Sequence, residues 1–136
     1  MKVFVDTNIF IDILLDRKPF SKDAKMVYKL CENGLIEGYI APITINNIYY
    51  VCRKAKEIES IKVYLADIST YFNIAPMNNE SIIKANRLNI NDYEDALQYA
   101  MAMQETCEYI ITRNGKDFKH MTNIQVLSAD DFLKIL

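Results

Sequence analysis

Short apolar runs alternate along this chain with segments whose apolar residues recur at helical spacing. Lys2–Val5 is β-branched and aromatic and lacks polar alternation, which predicts a strand buried on both faces of a sheet. Gly38–Ala41, Tyr71–Ala75, Tyr109–Thr112 and Ile124–Leu127 predict four more strands. In Ser21–Asn33, Ala24, Val27, Tyr28 and Cys31 repeat at i, i+3, i+4 and i+7, with Lys22, Lys25 and Lys29 on the opposite face and Gly34 as a stop. Ile61, Tyr64, Leu65 and Ile68 repeat in the same way, and Asn79 and Ser128 are suited to cap the short helices after them. Ile43–Ala55 is apolar almost all round, which predicts a helix that is mostly buried or lies at an interface. Strands alternating with helices imply βαβ crossovers, hence a three-layer α/β/α sandwich around a mainly parallel sheet of four to five strands. With neither repeat nor linker, residues 1–136 are expected to form a single domain.

Composition narrows the possibilities without choosing a function. An apolar content of 51% suits one ordinary core. Cys31, Cys52 and Cys107 are too few and too scattered for a disulfide framework, and none forms a CxxC pair that would suggest zinc. The opening MKVFVDTN meets an acid before any signal-peptide core can form, and no stretch is long enough to span a bilayer, so a soluble cytoplasmic protein is expected. A formal charge of −2 gives no global attraction to nucleic acid, so any phosphate-binding surface must be local.

The candidate chemistry lies in the acids. In an open α/β sheet the ligand crevice sits outside the carboxyl ends of the strands. Asp6 directly follows the first strand, although it is also placed to cap a helix beginning near Ile9, as Thr7 or Asn8 could. Asp92-Tyr93-Glu94-Asp95 opens a helix over Ala96–Glu105, where acids can serve as cap and dipole partners. Their crowding is costly unless a cation or basic group sits among them. Thr112-Arg113-Asn114-Gly115-Lys116-Asp117 follows the fourth strand and ends in another acid, which in isolation reads as a solvated turn. Asp6, Asp95 and Asp117 all flank strand carboxyl ends, so the fold would gather them, and three converging carboxylates suit Mg²⁺ or Mn²⁺.

FVDTNIFIDILLDR, ITINNIYYV, DYEDALQYAMA and YIITRNGKDF, in this order, resemble the successive motifs of the PIN-domain family, best known from the toxins of bacterial toxin-antitoxin pairs. The likeness covers nearly the whole chain. It implies a metal-dependent ribonuclease with Asp6, Asp95 and Asp117 as metal ligands, a central parallel sheet, and commonly a homodimer; an antitoxin partner is a further expectation. Arg113, Lys116 and Lys119 would then lie beside the site as RNA contacts, in preference to the stripe of Lys22, Lys25 and Lys29. The lone His120 is expected to be a solvated surface residue.

Two positions depart from the family pattern. Asn47, following Thr44, stands where the family usually carries a glutamate, and an amide adds no negative charge and takes no proton. Glu94 or Asp92 would compensate only in part, because on a helix Glu94 points about 100° away from Asp95. Asn114 stands where many relatives carry another acid, leaving Asp117 in that loop, and Thr112 is either a ligand-orienting hydroxyl or simply a strand former. Two rival readings follow: a catalytically weak RNA- or partner-binding module, and an aspartyl-phosphate phosphotransfer domain. The haloacid-dehalogenase form of the latter needs a second Asp where Asn8 stands, and neither form explains the YEDA helix.

Overall fold

A computed structural model describes residues 1–136. In chain order the elements are β1 (Lys2–Val5), α1 (Thr7–Leu14), α2 (Ser21–Glu32), β2 (Glu37–Ile40), α3 (Pro42–Cys52), α4 (Ile58–Tyr71) and β3 (Asn73–Ile74). There follow α5 (Asn79–Asn86), α6 (Tyr93–Gln104), β4 (Tyr109–Ile111), a 3-10 turn (Gly115–Phe118), β5 (Gln125–Leu127) and α7 (Ala129–Lys134). The five strands form one sheet in the order β3-β2-β1-β4-β5, and every pairing is parallel. The expected three-layer α/β architecture is therefore present. No helix is long and apolar enough to cross a membrane.

β1 is central because Val3, Phe4 and Val5 are all apolar and essentially without exposed surface. Alternation sends Val3 and Val5 into a core shared with α1, α2, α3, α4 and α7, while Phe4 enters a second core with Tyr99 and Met101 of α6 and Ile110 of β4. Fully burying side chains of this size contributes roughly 1.5–3 kcal/mol each. The chain winds outward from β1 in both directions, to β2 on one side and to β4 on the other. The strand order thus reverses at β1 and β4, and a crevice opens outside their carboxyl ends.

Local signals act as their chemistry dictates. Gly34, at φ +73, closes α2: Leu35 N–H donates to the Leu30 carbonyl at 2.9 Å and Gly34 N–H to Cys31 at 3.1 Å, the paired bonds of a Schellman stop. At Gly38 the need is space, since a Cβ would meet the Phe72 ring at 2.6 Å and Cys31 Sγ at 2.8 Å. Several boundaries differ from those expected. α1 begins at Thr7 with Asp6 in the cap position, and the cap of α5 is Asn78, whose side chain accepts from Ser81 N–H at 3.2 Å, with Asn79 as the first helical residue. The third strand shrinks to Asn73–Ile74 because α4 continues to Tyr71. α3 is less buried than its composition suggests: Thr44, Ile48 and Cys52 face inward at every fourth residue, whereas Ile43, Tyr50 and Val51 are exposed.

Candidate metal centre

The crevice at the reversal point holds about 210 Å³ and brings together residues from four parts of the chain. Asp6, Thr7, Asn8 and Ile11 come from the start of α1, Asn47 and Val51 from α3, Asp92, Glu94 and Asp95 from the start of α6, and Asn114 and Asp117 from the turn after β4. Five of these are carboxylates and none is a lysine or arginine.

Asp6 occupies the cap position of α1, yet its side chain makes no capping bond. Its Oδ2 accepts from the Thr112 hydroxyl at 2.8 Å and its Oδ1 from the Gln98 amide at 3.1 Å. Thr112 Oγ1 in turn accepts from Asn114 N–H at 3.1 Å, so the β4 turn orients the hydroxyl that orients the carboxylate. All three side chains, Asp6, Gln98 and Thr112, are buried. Asp6 is thus fixed by neutral donors alone, a rigid setting with no positive charge in it. Gln98 was not singled out from the sequence; its spacing of one turn from Asp95, on the inward face of α6, is the signal that marks it.

Asp92 caps α6, its Oδ1 accepting from Asp95 N–H at 3.0 Å. Asp95 therefore lies in the first turn, buried, with its carboxyl lining the crevice. Burial, reinforced by the negative charges of Asp92, Asp6, Asp117 and Glu94, raises its pKa to about 7. Glu94 is also raised, by burial first and then by Asp6 and Asp92, with partial relief from Asn47. Glu94 and Asp95, adjacent in the first turn of α6, both line the crevice. Asn47 Nδ2 donates to Glu94 Oε1 at 3.0 Å, so the amide engages the site through its nitrogen. Thr44 stands behind the wall, sharing a buried 2.8 Å hydroxyl contact with Thr7 that ties α3 to α1.

The other candidates are dispersed. Arg113 turns away from the crevice and is committed to Asp12 of α1: Nη2 donates to Oδ1 at 3.0 Å, and Nε makes a close but poorly aligned 2.8 Å contact with Oδ2. Its guanidinium also lies 4.2 Å from the Phe20 ring centre, so it serves as a strut and is withdrawn from the position expected of an RNA contact. Lys116 and Lys119 are exposed, with Lys119 on a neighbouring groove alongside Phe118 and Met121. Asp117 sits in the 3-10 turn at the crevice rim. No three acidic groups converge within a single coordination shell.

A parallel α/β sheet with an acid-lined crevice at its reversal point defines a class of protein whose carboxylate donors suit a hard divalent cation. Residues 2–116 match the sequence model of the PIN domain, and the chain belongs to that family. It is 31% identical over 139 residues to ribonuclease VapC1 of Aquifex aeolicus, spanning 96% of this chain and 92% of the relative. Among solved structures it resembles VapBC2 of Rickettsia felis bound to a promoter DNA fragment, with TM-score 0.70, 19% identity and coverage of 93% and 97% of the two chains. It also resembles a toxin-antitoxin complex of Klebsiella pneumoniae, with TM-score 0.69, 23% identity and the same coverages. These two structural likenesses bear on the fold.

Proposed function

We propose that the chain is a divalent-metal-dependent endoribonuclease, the toxin of a toxin-antitoxin pair. The observation that carries this reading is the set of five carboxylates lining one crevice with no basic side chain among them. The family membership and the curated ribonuclease relative support it. An RNA phosphodiester entering such a crevice would meet only repulsion unless a dication lay between it and the acids. Asp6, Asp95 and Asp117 are the proposed ligands for Mg²⁺ or Mn²⁺. When bound, the ion supplies a Lewis acid for the phosphate and lowers the pKa of a coordinated water.

The chain's own residues do the positioning. Thr112 and Gln98 hold Asp6 so that both of its oxygens keep a fixed direction, and the cap bond from Asp95 to Asp92 fixes the first turn of α6 beside it. Lys116 and Lys119, exposed around the turn after β4, are the remaining candidates for phosphate contacts, a role that does not extend to Arg113 while Asp12 and Phe20 hold it. Structural neighbours that are toxin-antitoxin complexes support an antitoxin as partner. The exposed apolar residues Ile43, Tyr50 and Val51 of α3 support contact with a second copy. The test is cleavage of mixed RNA with Mn²⁺. Asp6→Asn should lose about 100-fold or more, and Thr112→Val about tenfold, as expected for a ligand and for the residue orienting it. Equal cleavage by native protein and Asp6→Asn would sink the assignment.

A further inference from the structure

We propose that Glu94 supplies the carboxylate that α3 lacks at position 47, with Asn47 as the residue that positions it. This inference rests on the metal-nuclease reading above. Glu94 Oε1 accepts from Asn47 Nδ2 at 3.0 Å across the gap between α3 and α6. Both residues line the crevice with Asp6 and Asp95. Glu94 Oε2 accepts no hydrogen bond from the chain, which leaves one oxygen available to a ligand while the other is held.

Physical chemistry favours this division of labour. A carboxylate at position 47 would confront Glu94 at 3.0 Å as a like charge, whereas an amide there gives Glu94 a neutral donor. The pair thus delivers one negative charge and one hydrogen bond. The charge that would otherwise come from α3 comes from α6, on the opposite wall of the same crevice. Glu94 also lies in the first turn of α6, where an acid stabilises a helix through the dipole. That structural role predicts a change in folding stability and none in metal affinity, so metal affinity separates the two.

The experiment is calorimetric titration of the purified chain with Mn²⁺ alone, without RNA, accompanied by a thermal melt of each variant. Glu94→Gln keeps size and shape and should weaken Mn²⁺ binding about tenfold, since affinity at such sites follows the count of charged ligands. Asn47→Leu removes the positioning donor and should weaken it about threefold to tenfold. The swap Asn47→Glu/Glu94→Gln reverses donor and acceptor across one contact and should restore affinity to within about threefold of native. Asp6→Asn is the control for the site as a whole. If Asp6→Asn abolishes binding while Glu94→Gln binds like native protein, the assignment of Glu94 is overturned and the metal site stands. If Glu94→Gln weakens binding but the swap fails to rescue a well-folded protein, the exchange between the two positions is overturned. If native protein does not bind Mn²⁺, or Asp6→Asn binds it equally well, the metal-nuclease reading falls and this inference with it.

Discussion

Asp6 and Asp12 are both buried acids at α1, with 6% and 0% of their surfaces exposed, yet they sit in opposite electrostatic settings. Asp12 has a guanidinium against it, Arg113 at 2.8–3.0 Å, with Arg17 at 3.8 Å from its Oδ1 as well. Asp6 has a hydroxyl and an amide as its donors, and its charged neighbours are other acids. The first arrangement supplies its counter-charge from within the chain. It ties α1 to the turn after β4, although burial still raises the Asp12 pKa and the arginines offset that only in part. The second gathers negative charge that the chain itself does not neutralise, which marks a place for an external cation. Burial of an acid is therefore uninformative until its partners are known, and the two acids of one helix teach this side by side.

The sharpest way to break this comparison is to remove the self-contained acid. Asp12→Ala leaves Arg113 partly buried without its counter-charge, and breaking such a pair should cost about 3 kcal/mol, read as a lower denaturant midpoint at unchanged slope. Asp6→Asn should cost far less stability, because it lightens repulsion within the crevice. Equal destabilisation by the two would contradict the division drawn here.

A smaller effect sharpens the same point through pH. Asp95 has a folded pKa of about 7 against an ordinary value of 3.8, so the folded state binds its proton more tightly than the unfolded state does. Its stabilising contribution is fully present below about pH 4 and is lost as pH rises through 7. Metal-free protein should consequently lose part of its thermal stability between pH 5 and pH 8 relative to Asp95→Asn, in which that component is absent. An identical pH profile for the two chains would remove Asp95 from the acidic cluster.

Much of the fold was legible because its signals are local. Buried strands show as unbroken apolar runs, Gly34 marks the end of α2, and Asp92 and Ser128 cap the helices they precede. The site was legible where it depends on strand ends, since topology alone carries Asp6 and the turn after β4 to one edge. Pairings across the chain were not. Arg113 stands beside Asp117 in sequence but reaches back to Asp12, and no local pattern distinguishes a rim cation from a strut. The bond from Asn47 to Glu94 likewise joins residues far apart in the chain, and helical rotation alone gives no sign of it. α3 looked buried because apolar residues surround it, yet only one face of it is covered by this chain.

The most direct test of the central claim is the thermal melt of native protein and of Asp6→Asn at pH 8, each with and without millimolar Mn²⁺. A ligand that binds only the folded state raises stability by mass action, by about 2.7 kcal/mol at one hundred times its dissociation constant. Native protein should melt at a higher temperature with Mn²⁺, and Asp6→Asn should show little or none of that rise. A native melting temperature indifferent to Mn²⁺, or the same rise in Asp6→Asn, would contradict a metal centre anchored on Asp6.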